Sequence, residues 1–204
     1  MTTPRRRTSI TQVKHYRLLD QVGEGGMGSV YEGIDARDSS HVAVKLLHPW
    51  LVEGDPTFRD RFEREAHIAA LLRSPYTVHL LDFGHAEGTY YLVMEFVEGR
   101  SLAAELREGP IEPRRALRIA VDVARALEEA GARGVAHRDI KPDNILLSDG
   151  HAMIADFGVA RAIDEPGGAN LTVGGLAIGT PAYMSPEQAS GQTQLDGRSD
   201  IYAV

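Results

Sequence analysis

The chain has 204 residues, 43 % of them hydrophobic, and 22 Lys and Arg against 29 Asp and Glu give it a formal charge of -7. That length suits one domain with a full core or two small lobes, and the acidic balance argues against a general nucleic-acid binder, which needs a cationic excess to displace counterions from phosphates. Cysteine is absent, so disulfides, thiolate metal sites and a cysteine nucleophile are excluded.

Residues 1 to 13 are polar and basic, with Arg5, Arg6 and Arg7 grouped together; three cations make a solvated, disordered tail rather than a membrane or nucleic-acid patch. The start MTTPRRRTSI lacks the apolar segment of a secretory signal. No apolar run approaches the ~18 residues a membrane helix needs, so the expected location is the cytoplasm. From Tyr16 to Leu47 the pattern is strand-like, in YRLLDQVG, SVYEGID and HVAVKLL, broken by glycines and by DARDSS. It predicts an antiparallel meander.

Residues 56 to 73 read as a helix, because Phe58, Phe62, Ala69 and Leu72 recur on one arc. Glu65 falls inside that arc, where a carboxylate is costly unless it meets a cation. Strands follow around TVHLLDFG and TYYLVMEFV, and EGRS reads as a linker. Leu117, Ala120, Ala124 and Leu127 then predict a helix from Pro113 to about Ala130, with proline near its start. Short strand-like pieces, NILL and MIADFG, precede an irregular stretch rich in Gly, Pro and Thr from Asp164 to Pro186; so long an irregular segment points to function or disorder.

Five stretches carry chemistry. GEGGMG, Gly23 to Gly28, satisfies G-x-G-x-x-G. Strand-like SVYEG follows it, so the glycines sit in a hairpin rather than opening a helix as in a dinucleotide fold. Such a hairpin is either a plain glycine-rich turn or one whose backbone NH groups lie over phosphates. VAVK places Lys45 in an apolar strand, either snorkelling outward or paired with Glu65, which would solve both burial problems together. HRDIKPDN, His137 to Asn144, concentrates an imidazole, a guanidinium, two carboxylates, an ammonium and a carboxamide within one short stretch. DFG at Asp156 to Gly158 and SPE at Ser185 to Glu187 complete the order.

This ordered set resembles a protein kinase of the eukaryotic type, most closely the bacterial Ser/Thr branch. The Gly-rich loop with Val30, Lys45, Glu65, HRDIKPDN, DFG and SPE all follow the family order. The resemblance implies an α+β, bilobal fold: a small antiparallel β lobe with one key helix over 14–98, and a mainly helical, incomplete large lobe over 99–204 with an activation segment at 156–187. It implies ATP as phosphoryl donor, Mg²⁺ or Mn²⁺ as cofactor, and Ser/Thr hydroxyls of proteins as acceptors.

By the same resemblance Asp139 aims the substrate hydroxyl and takes its proton, and Lys141 lies beside the transferring phosphate. Asn144 and Asp156 bind metal, and Lys45, oriented by Glu65, holds the α and β phosphates. Val22, Gly23, Gly25, Gly26 and Gly28 form the phosphate lid, and Val30, Ala43 and Leu146 sandwich adenine. Met94 guards the back of that pocket, with Glu95 to Val97 as the hinge. Thr180, in GTPAYMSPE, touches Asp139 and Lys141 and favours a hydroxyl amino acid. His137 packs under Phe157 rather than acting as a base.

Arg138 implies control by activation-loop phosphorylation, with Thr172 as the expected autophosphorylation site, through self-association, set against a plain solvated threonine. RSDIYAV matches the start of the long central helix, with Asp200 bracing the backbone around His137 and Arg138. The resemblance covers residues 14 to 204. The rest of that helix, the later helices and an arginine partner for Glu187 would follow Val204, so an open apolar surface and low stability are expected of the chain alone. An inactive nucleotide-binding or scaffolding module is the alternative reading. A membrane tether belongs, if anywhere, to a longer parent chain.

Overall fold

The computed structural model describes residues 10–53, 55–157, 172–173, 176–177, 181–192 and 195–204. The chain divides into two compact units: the described residues through Arg59 with Leu80–Phe96, and Asp60–His79 with Val97–Val204. The helix expected in the small lobe therefore groups, from Asp60 onward, with the second unit. Backbone bonds explain part of this: Ile154 donates to the Tyr76 carbonyl at 2.8 Å and accepts from Val78 at 2.9 Å, fastening that run to the second unit.

The first unit is a six-stranded antiparallel sheet ordered β1-β2-β3-β4-β6-β5, made of β1 (Gln12–Val13), β2 (Tyr16–Gly25), β3 (Gly28–Asp35), β4 (His41–Leu47), β5 (Leu80–Ala86) and β6 (Thr89–Glu95). Alternation along the strands sends one set of side chains to a shared core: Val13, Tyr16, Leu18, Tyr31, Val42, Val44, Leu46, Tyr91 and Val93. β1 corrects the expected tail. Val13 is wholly buried and pairs with Tyr16, because Lys14 adopts a left-handed φ of 51° and turns the chain tightly enough for this apolar residue to enter the core.

Helix α1 (Phe58–Ala69) buries Phe58, Phe62, Glu65, Ala66 and Ala69, the expected arc. It ends before residue 73; Ser74 precedes Pro75, and a pre-proline residue is driven from helical backbone. Leu72 nonetheless stays buried.

In the second unit, Gly99, Arg100 and Ser101 are more than a linker. β7 (Arg100–Ser101) pairs with β8 (Ile145–Ser148), which pairs with β9 (His151–Ile154). A Cβ on Gly99 would lie 2.2 Å from the Leu147 carbonyl oxygen, so only glycine lets the two strands close. Ser101 then caps α2 (Leu102–Leu106), accepting from the Ala104 amide.

Helix α3 (Pro113–Ala132) begins on proline as expected, but its buried face is rotated from the expected arc. Val123, Ala126, Leu127 and Ala130 are buried, whereas Leu117 is 66 % exposed. The buried carboxylate of Asp122 explains the rotation: it accepts from the Ala152 amide on β9 at 3.2 Å, which turns that side of the helix toward the sheet. The stretch expected to be irregular contains a two-stranded ladder, β10 (Thr172–Val173) with β11 (Leu176–Ala177). Two short helices complete the unit, α4 (Pro186–Ala189) and α5 (Gly197–Tyr202). No helix among the described residues is long and apolar enough to cross a membrane.

Candidate active site

The first unit carries one half of the expected set on a single sheet face. Gly25 pairs with Gly28 across a two-residue turn, so the glycines do cap a hairpin. Their reasons differ. A Cβ on Gly28 would lie 2.1 Å from the Leu46 carbonyl oxygen, so glycine is required there by the approach of β4. At Gly25 and Gly26 a Cβ would meet nothing within 4 Å, so the protein itself imposes no glycine there and the bare backbone is open to a ligand. Gly23 lies opposite Val30 on β3, and Val22 is half exposed at the turn's base.

Register assembles the rest of that face. Lys45 lies opposite both Val30 and Leu92, and Ala43 lies opposite Met94. Cross-strand partners share a face, and Val42, Val44 and Leu46 point the other way into the core. Val30, Ala43, Lys45, Leu92 and Met94 thus form one face, with Lys45 only 6 % exposed. Leu92 was missed by the sequence reading, although its spacing of two from Met94 was a readable signal. Glu95 ends β6.

The second unit carries the other half. Arg138 has a left-handed φ of 68° and Asp156 one of 67°; non-glycine residues held in that region mark a backbone that its surroundings constrain. Asp200 on α5 is the brace. Its two carboxylate oxygens accept from the amides of His137 at 2.7 Å and Arg138 at 2.6 Å. Burial pushes the Asp200 carboxyl upward, and the neighbouring His137 and the two amides pull against that shift. The buried His137 ring bonds the Ala155 carbonyl at 2.8 Å and meets Phe157 edge-on, with centroids 4.7 Å apart. It is a packing and aligning group.

Asp139 follows directly. Its Oδ2 accepts from Lys141 Nζ at 2.8 Å and from Asn144 Nδ2 at 3.0 Å, while Oδ1 accepts no hydrogen bond from the described residues. Asn144 also donates to the Asp139 carbonyl at 2.7 Å. Both hydrogens of that carboxamide are spent, which leaves Oδ1 of Asn144 as an oxygen acceptor of the type hard cations take. The Ala155 amide donates to the Asn144 carbonyl at 2.9 Å, bringing Asp156 beside it in the chain's path. Leu146 lies on β8 opposite Met153, and Val97 stands just before the turn into β7.

Glu65 is buried and takes a hydrogen bond from the Arg64 side chain at 3.1 Å. Glu187 accepts from the Ser199 hydroxyl at 2.6 Å, which holds its carboxyl below the ordinary carboxylate range. Thr180 and Gly158 lie outside the described residues, as does the side chain of Thr172.

Comparison with known proteins agrees with this arrangement. The model of the protein kinase domain matches residues 16–204. The chain is 43 % identical over 196 residues to serine/threonine-protein kinase PknD of Mycobacterium tuberculosis, covering 95 % of this chain and 29 % of that one. It is 44 % identical over 196 residues to serine/threonine-protein kinase PknE of the same organism, covering 95 % and 34 %. The chain therefore spans about a third or less of the length of these curated relatives. The crystal structure of the M. tuberculosis PknI kinase domain superposes with a TM-score of 0.77 at 29 % identity, covering 97 % of this chain and 72 % of that one. A six-stranded sheet with a glycine hairpin and a buried lysine, a braced Asp139 loop and these matches lead to one conclusion: the chain belongs to the protein kinase domain family.

Proposed function

We propose that the protein transfers the γ-phosphoryl group of ATP to Ser or Thr hydroxyls of protein substrates. The observation that carries this reading is the asymmetric Asp139 carboxylate, with Oδ2 bound by Lys141 and Asn144 and Oδ1 left to accept a hydroxyl. Phosphoryl transfer asks a protein for alignment and charge neutralisation, because the transition state is loose and its charge is spread over oxygens. Asp139 takes the hydroxyl proton as the oxygen reaches phosphorus, and the Lys141 ammonium, 2.8 Å from Asp139, offsets the charge on the transferring group.

Lys45 holds the α and β phosphates beneath the Gly25–Gly26 backbone, and Val30 and Ala43, on the same sheet face, pack against adenine. Met94 bounds the pocket and the Glu95–Val97 backbone bonds the ring edge. Asn144 and Asp156 are the residues that would hold Mg²⁺ or Mn²⁺, which neutralises phosphate charge when bound. Thr180 selects the hydroxyl acceptor, and autophosphorylation at Thr172 through self-association tunes the site.

The test is the intact mass of the chain after incubation with ATP and Mg²⁺ or Mn²⁺, beside Asp139→Asn. Mass increments of phosphate in the parent alone are expected, with Thr172 modified on peptide mapping. A parent that binds ATP yet gains no phosphate, on itself or on an added protein acceptor, would instead describe a nucleotide-binding module.

A further inference from the structure

We propose that Gln188 is a positioning residue for Asp139, coupling the turn that closes the 156–187 segment to the loop that carries the reacting carboxylate; this rests on the kinase reading above. Gln188 lies outside the motifs read from the sequence, one residue past SPE. Its carboxamide is used at both ends. Oε1 accepts from the Ser185 amide at 3.0 Å, and Nε2 donates to the Arg138 carbonyl at 2.7 Å.

The first bond belongs to a capping box. The Ser185 hydroxyl accepts in return from the Gln188 amide at 3.3 Å, and Pro186 occupies the first helical position, so α4 has a defined start. The second bond reaches the most constrained peptide of the loop. Arg138 has a φ of 68°, and Asp200 holds only its amide side. The carbonyl of Arg138 begins the next peptide unit, whose nitrogen belongs to Asp139 and donates to His137 Nδ1 at 3.2 Å. Gln188 on the oxygen and His137 on the nitrogen therefore fix the plane of the peptide that leads into Asp139. Because a peptide is planar, fixing its two ends sets the direction in which Asp139 leaves it.

No other side-chain type supplies this pairing at the same length. Glutamate keeps the acceptor for Ser185 but puts a carboxylate oxygen against the Arg138 carbonyl, removing a donor and adding repulsion. Methionine matches the length and makes neither bond. Lysine donates but cannot accept from Ser185.

The experiment measures two readouts on the same proteins: phosphoryl transfer, resolved into kcat and KM for ATP, and hydrogen exchange at the amides of His137, Arg138 and Asp139. The variants are Gln188→Glu and Gln188→Met, with Gln192→Glu as a control that adds a carboxylate at an exposed position nearby. Both Gln188 variants should lower kcat about tenfold with KM for ATP changed less than about twofold, and exchange at those amides should rise about tenfold while the β8–β9 amides keep theirs. The control should match the parent.

Should Gln188→Glu fail to fold, Gln188→Met carries the test. Unchanged kcat, or lowered kcat with unchanged exchange, overturns the proposal. A parent chain without transfer activity would instead count against the kinase reading, and exchange alone would then decide the coupling: raised supports it, unchanged overturns it.

Discussion

A single carboxylate shows how much one side chain can report. Asp35, at the end of β3, accepts from the Arg37 amide at 2.9 Å and from its guanidinium at 2.7 Å, and Arg37 beside it draws its pKa from 3.8 to about 2. A depressed carboxylate stabilises the fold fully above its unfolded value and loses that contribution as pH falls through its folded one. The Asp35 contribution should therefore be present above pH 3.8 and fade toward pH 2. Comparing melting of the parent with Asp35→Asn across this window checks it: the parent's advantage shrinks on acidification, and a gap that stays constant down to pH 2 contradicts the assignment. At this same scale the sequence exposed Lys45 and Glu65, because each is a charged group where the surrounding apolar pattern makes it expensive, whereas Asp139, Asn144 and Asp156 were read through the resemblance carried by HRDIKPDN and DFG. Gln188 escaped because a neutral residue in a polar turn violates no local rule.

Among the elements, α3 separates periodicity from packing. Leu117, Ala120, Ala124 and Leu127 satisfy helical spacing, yet only Leu127 of these is buried. A helix can carry two apolar arcs, and the sequence does not say which one its neighbour covers. In urea unfolding, Leu127→Ala should cost about 2–4 kcal/mol and Leu117→Gln less than about 0.5 kcal/mol. A cost for Leu117→Gln as large as that for Leu127→Ala would return the buried face to the arc that Leu117 and Leu127 share. The strands were legible for a converse reason. In β3, β4 and β6 the alternation is pinned by a core on one face, and a slip by one residue would send Lys45 into that core. β10 and β11 went unread because two-residue strands have no period to detect.

For the whole molecule, the expected signature is ligand-linked stability. A ligand that binds only the folded state at about 100 times its Kd adds about 2.7 kcal/mol, so Mg-ATP should raise the melting temperature of the parent. Lys45→Met should lose most of that rise, because it removes the cation proposed to hold the phosphates. Asp139→Asn should keep it, because Asp139 is assigned to the acceptor hydroxyl. A rise retained by Lys45→Met would displace the nucleotide from the face made by Val30, Ala43, Lys45 and Met94.

The family was determined by the sequence alone, since six short motifs in one order each demand a particular polar group or glycine at a particular spacing, and such demands are local. So were the meander, α1 and the packing role of His137. What only the tertiary structure decided depends on groups far apart in the chain. The grouping of residues 60–79 with the second unit rests on Tyr76 and Val78 bonding Ile154. The need for glycine at 28 rests on the Leu46 carbonyl, and the turn of α3 rests on Asp122 meeting Ala152. The bond from Gln188 to Arg138 spans 50 positions. Hydrophobic period and residue type say what a segment needs, whereas the partner that meets the need is chosen by chain topology, which no local pattern contains.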